Sequence, residues 1–165
     1  MRRLFLMCLA AVLLTAGMAS AVVWNPTDPN AIAAGYSNWN IAANWGGTLP
    51  DTQGTATFNV AAPKCLVTGA QSVATKFAMG DGGVYTGNYV TVKNGGTLSL
   101  GGTAWHAVGY SRGNNILTIE KGGKITSTAR ILVGRAGGTT AVNAPSSVIV
   151  DGGTLELTAG SLQMG

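Results

Sequence analysis

His106 is the only histidine in this 165-residue chain. A general base also needs a partner to orient it, and Tyr110 and Arg112 follow closely enough to be considered for that role. Enzymes that cleave polysaccharides bring carboxylates together for acid–base work or for calcium. Here the six carboxylates, Asp28, Asp51, Asp81, Glu120, Asp151 and Glu156, are spread along the chain. Asp151 and Glu156 come nearest to a pair, and the Gly152-Gly153 turn between them points them in different directions. An enzyme would need Asp81, His106, Arg112 and Glu120 on one exposed face. One histidine without a carboxylate at ligand spacing makes no zinc site. Gly80-Asp81-Gly82-Gly83 occurs once and lacks the alternating glycine–aspartate period of calcium-binding β-rolls, so it reads as a corner turn. No catalytic residue, cofactor or metal is expected. What remains is contact chemistry: aromatic rings stack on sugar faces, which singles out Trp105 and Tyr110, with Arg112 beside them, as candidate carbohydrate contacts.

The residues before Val22 read as a signal peptide. Arg2 and Arg3 give a basic start, Leu4 to Ala16 an apolar stretch too short to span a bilayer, and Ala19-Ser20-Ala21 a small-residue cleavage site. Cleavage after Ala21 removes two of the ten basic residues and none of the six acidic ones, so the net charge falls from +4 to +2. Without a clustered basic face, nucleic acid is not an expected partner. Cys8 leaves with the signal, and Cys65 stays as a lone thiol that reads as buried and inert. The mature chain keeps no transmembrane segment, and export to the bacterial cell surface or the medium is the expected localisation.

Glycine is abundant, with 25 in the chain, and no long 3.6-residue stripe appears, so the expected class is all-β. Two interleaved repeats fix the architecture. One reads Val92-Lys93-Asn94-Gly95-Gly96-Thr97-Leu98, Ile119-Glu120-Lys121-Gly122-Gly123-Lys124-Ile125 and Ile149-Val150-Asp151-Gly152-Gly153-Thr154-Leu155. The other ends at Gly80, Gly109, Gly134 and Gly165, preceded by Phe77-Ala78-Met79, His106-Ala107-Val108, Ile131-Leu132-Val133 and Leu162-Gln163-Met164. Coils of about 25–31 residues built from several short strands over residues 63–165 suit a single-stranded parallel β-helix, right-handed by the usual preference.

Alternation then assigns inner rows: Leu98 and Leu100 with Ile125, Leu155 and Leu157, and Met79, Val108, Val133 and Met164. His106 takes the position held elsewhere by Phe77, Ile131 and Leu162, so it reads as a core histidine satisfied by one backbone carbonyl. Stacking sets Lys93 beside Glu120, Lys121 beside Asp151, and Trp105 between Lys76 and Arg130 in cation–π reach. Register is weakest in the last copy, where Val148-Ile149-Val150 has no polar residue to mark its outer face. Thr97 and Thr154 align but Lys124 interrupts them, so no ice-binding threonine array forms.

Residues 22–62 differ in composition, with Trp24, Trp39 and Trp45 and no Lys or Arg. They read as a cap over the first coil, which a solenoid requires. Gly165 follows a repeat strand directly, so the last coil is expected to present an open edge, from a truncated chain or one that self-associates end to end.

Trp39, Asn44-Trp45, Gly47, Pro50 and Ala56-Thr57-Phe58 resemble an N-terminal motif of large exported bacterial surface proteins. Those proteins carry passenger-type, autotransporter-associated β-strand repeats, and many bear PEP-CTERM sorting tails. Asn94-Gly95-Gly96-Thr97-Leu98-Ser99-Leu100 and Asp151-Gly152-Gly153-Thr154-Leu155-Glu156-Leu157 are similar to their repeats. Gly54 stands where that motif has Asp, and no sorting tail or translocating barrel is present. The resemblance implies a structural or adhesive module of the cell surface or extracellular matrix. Its expected partners are a surface polysaccharide or another cell-surface protein. The alternatives are a carbohydrate-active β-helix enzyme fragment, of the polysaccharide lyase or hydrolase kind, and a self-assembling surface subunit.

Overall fold

A computed structural model describes residues 21–50, 54–82, 87–102, 105–134 and 145–165. The proposed signal therefore lies outside the described residues, save for Ala21. That residue opens strand β1 (Ala21–Val23) and pairs with Thr55.

The chain is a parallel β-solenoid. Four coils each contribute one strand to each of three sheets. The first coil is β4 (Lys64–Val67), β5 (Ala70–Val73) and β6 (Lys76–Met79); the second is β7 (Tyr89–Val92), β8 (Thr97–Leu100) and β9 (His106–Val108). The third is β10 (Ile116–Glu120), β11 (Lys124–Ser127) and β12 (Ile131–Val133), and the fourth is β13 (Ser147–Asp151), β14 (Thr154–Leu157) and β15 (Leu162–Met164). Sheet B runs through the first strand of each coil, sheet C through the second and sheet A through the third. Corners into sheets C and A take two to five residues, whereas those from sheet A back to sheet B take five, nine, seven and thirteen.

The Gly-Gly corner shows why two glycines are needed. Gly95 and Gly122 have φ of +76° and +77°, a conformation that costs a residue with a Cβ. Gly123 has no such φ, but a Cβ there would sit 2.6 Å from the Val92 carbonyl oxygen of the previous coil. The first glycine turns the chain and the second lets the coils close.

The inner rows are those expected. Leu98, Ile125 and Leu155 are level, as are Val108, Val133 and Met164. Ser127 sits between Leu100 and Leu157, and its buried hydroxyl donates to the Ala129 carbonyl at 2.8 Å. In the fourth coil the inner positions surface, with Met164 77% exposed, and Val150, level with Ile119, 49% exposed.

One expected pairing is corrected. Asp151 lies level with Glu120, not with Lys121, while Lys124 still faces Thr154. The corner after β10 has three residues and the one after β13 has two, so aligning the glycines misplaces the strand. The adopted register sets Val148 and Val150 on Leu117 and Ile119. The glycine-aligned register would set Ser147 on Leu117, and matching apolar side chains across the inner face decides between them.

The cap is woven into the sheets. β1 and β3 (Thr55–Phe58) extend sheet A, and β2 (Tyr36–Asn38) extends sheet B. Helix α1 (Pro29–Ala34) starts at Asp28, whose carboxylate accepts from the Asn30 amide, and stops at Gly35 with φ +74°. A 3-10 helix, Ala42–Trp45, lies between β2 and β3. Trp24, Trp39 and Trp45 are buried in one aromatic cluster with Phe58, and Trp39 and Phe58 reach on to Phe77 of the first coil. The motif behind the family resemblance is thus structural here: Asn44 donates to Ser37 Oγ and the Asn38 carbonyl, and Trp45 Nε1 to the Trp39 carbonyl.

Among the described residues no helix is long and apolar enough to cross a membrane, which says nothing of strands that could.

Candidate functional site

Trp105 and Tyr110 bracket the three-residue strand β9, and their rings stack at 4.3 Å between centroids with a 22° interplanar angle. Alternation sends Trp105 and Ala107 to the outer face of sheet A, where Ala107 is level with Ala78 and both are buried. Such small side chains leave the room that the two rings need to lie against the sheet. The same register sets Lys76 level with Trp105, and its ammonium lies 3.9 Å from the indole centroid and 5.9 Å from the phenol. Gly80, with φ +68°, turns the chain so that Asp81 forms an ion pair with Lys76. Two half-exposed aromatic rings, a cation and a carboxylate therefore form one cluster. An exposed cation–π contact contributes about 0.5–1 kcal/mol, enough to hold the rings in place. Of the two cations expected to flank Trp105, Lys76 is the one over the ring. Arg112 belongs to the same corner, where its carbonyl accepts from Asn115 Nδ2 at 2.6 Å.

The residues an enzyme would need do not meet. His106 is fully buried in the inner row, level with Ile131. Its Nδ1 accepts from the Phe77 amide at 3.1 Å, a backbone bond that the sequence did not suggest. That bond places the neutral ring's proton on Nε2, which has no partner within hydrogen-bond geometry. Burial pulls the imidazole pKa from 6.5 to about 4, and the nearby Gly101 carbonyl offsets part of that shift. Glu120 lies at the opposite corner, between sheets B and C, with both carboxylate oxygens 2.9 Å from Lys93 Nζ. Glu156 pairs with Lys124 at 2.7 Å. Among the described residues no three His, Cys, Asp or Glu side chains group as metal ligands. Cys65 is a free, fully buried thiol whose pKa burial pushes well up.

Sequence reasoning missed a ladder at the corner from sheet A to sheet B. Asn88 Nδ2 donates to Asn115 Oδ1 at 2.7 Å, Asn115 Nδ2 donates to the Gly113 carbonyl at 3.0 Å, and Ser146 Oγ accepts from the Asn115 amide at 3.2 Å. Each of the three precedes a sheet B strand by one residue, a signal that the glycine repeats overshadowed.

Fold and cluster together define a parallel β-solenoid whose outer face carries an aromatic–cation patch. No protein-family model, curated protein or solved structure matches the chain.

Proposed function

We propose that this chain is an exported, non-enzymatic β-solenoid that serves as a structural or adhesive module of the bacterial cell surface and contacts surface polysaccharide. The observation that carries this reading is the stacked Trp105–Tyr110 pair on the outside of a rod of parallel coils, backed by Lys76 and Asp81. Ring faces and edges of this kind suit the apolar faces of sugars, and the ion pair offers hydrogen bonds to hydroxyls. The basic, apolar leader and the resemblance to passenger-type and PEP-CTERM-sorted proteins support export. Dispersal of Asp81, His106 and Glu120 over two corners and the core supports a module over a lyase or hydrolase.

Sedimentation of the purified protein with a panel of soluble polysaccharides tests the reading. A shift with one glycan that Trp105→Ala abolishes is expected. Absence of any shift, or release of cleaved sugar products, would sink it.

A second reading is self-association through the fourth coil, favoured by the exposure of its inner positions, with Val150 49%, Leu162 40% and Met164 77% exposed. Among the described residues Trp24, Trp39 and Trp45 fill the core at the other end, so association joins two fourth coils. Sedimentation that stops at a dimer is expected; growth into filaments would refute this arrangement.

A further inference from the structure

Sheet B carries a second surface that the aromatic pair on sheet A does not touch. Alternation sends Tyr36, Lys64, Tyr89 and Ile116 outward in one row. Tyr36 is level with Lys64 and Tyr89 with Ile116, and the pairing of Cys65 with Val90 sets Lys64 level with Tyr89. Adjacent strands lie about 4.8 Å apart, so the two tyrosines stand roughly 10 Å apart with the lysine midway. Tyr36 is 52% exposed, Lys64 is exposed and Tyr89 is half-buried.

Two open recesses meet on this row, with Gly35 and Lys64 lining both. One, of ≈ 480 Å³, has Leu66 and Thr91 on its floor and the Lys93–Glu120 pair at its far end. The other, of ≈ 780 Å³, is walled by Pro26, Ile32, Pro63 and Tyr89.

Charge and backbone together narrow the ligand. Glu120 compensates Lys93, and Asp151 lies level with Glu120 beyond it, so the far end is not cationic. Lys64 makes no ion pair among the described residues, which leaves one uncompensated cation between two aromatic rings. The recess lies on the face of the sheet, where β4 and β7 are each paired on both sides. A peptide lying across these two strands therefore cannot add as a strand, and side-chain chemistry must supply the affinity there.

We propose that this recess binds a linear acidic polysaccharide, with a carboxylate- or sulfate-bearing residue at Lys64 and the flanking sugar rings on Tyr36 and Tyr89. The proposal rests on the reading that the solenoid contacts carbohydrate, and it adds a second site and a ligand class.

Affinity electrophoresis of the whole protein and of Lys64→Gln, Tyr36→Ala and Trp105→Ala tests it. The gels would contain polygalacturonate, a sulfated galactan, a neutral β-glucan or poly-L-glutamate. Either acidic polysaccharide should retard the protein, and whichever does so identifies the acid group. Lys64→Gln should weaken that binding about tenfold and flatten its salt dependence. Tyr36→Ala should weaken it severalfold, and by more than Trp105→Ala does. Lys64 and Tyr36 are exposed, so neither variant endangers the fold. Retention of binding by Lys64→Gln, with loss in Trp105→Ala, overturns this site and leaves the sheet A surface standing. Equal retardation by poly-L-glutamate overturns the commitment to sugar. No retardation by any polysaccharide overturns both readings.

Discussion

Mild acid should destabilise this protein through one residue. His106 is the only histidine, it is fully buried, and its Nδ1 already accepts the Phe77 amide. Protonation would put a donor against a donor inside the core. Its folded pKa of about 4 lies below the unfolded value near 6.5. The unfolded chain therefore binds the proton more readily, and stability is complete above the unfolded pKa and lost as pH falls from about 6.5 toward 4. Between about pH 7.5 and pH 5 the loss comes to about 2 kcal/mol. Stopping near pH 5 keeps ordinary carboxylates ionised, so the change belongs to the histidine. Urea unfolding followed by fluorescence of the buried tryptophans measures it. His106→Phe, which copies Phe77 in the same row, should start lower by about 1–3 kcal/mol because the Phe77 amide loses its acceptor. Its stability should then stay flat over this pH range. A wild-type midpoint that does not move between the two pH values would refute the reasoning, as would an equal slope in the variant.

Two further outcomes test the corners. Gly95→Ala should cost about 1 kcal/mol for its positive φ alone, since a Cβ there meets nothing within 4 Å. Gly123→Ala should cost about 3 kcal/mol, because its Cβ presses on carbonyl oxygens of two strands. Thermal melts that reverse this order would contradict the division of labour between the two glycines. Asn115→Ala should cost about 2–4 kcal/mol by leaving the Arg112 and Gly113 carbonyls and the Asn88 amide without partners. A melt unchanged from wild type would show that water or a loop shift replaces them.

The repeats made most of the solenoid legible. Leu98, Ile125 and Leu155 line up because strand alternation and the Gly-Gly corners act together, and Lys93 finds Glu120 for the same reason. The fourth coil escaped because its corner is one residue shorter, and only the demand that Val148 meet Leu117 fixes the register. The stack of Trp105 on Tyr110 was legible as two candidates but not as a pair. Its geometry depends on Ala78 and Ala107, which look unremarkable as letters. The row of Tyr36, Lys64 and Tyr89 was hidden because its members come from the cap and two coils with unequal spacing. Asn115 went unnoticed since asparagine in a glycine-rich corner ordinarily signals only a turn.

The unequal corners have an evolutionary consequence. Thirteen residues lead from β12 to β13 where seven lead from β9 to β10, yet the strands on either side keep their pairing. Asn88, Asn115 and Ser146 bond to one another at the strand ends of these corners, so the start of each sheet B strand is held whatever the corner's length. Two corners of each coil are short and constrained, while the third can drift, lengthen and acquire new side chains. Selection on such a chain can remodel one rim of the rod while the rest is inherited unchanged.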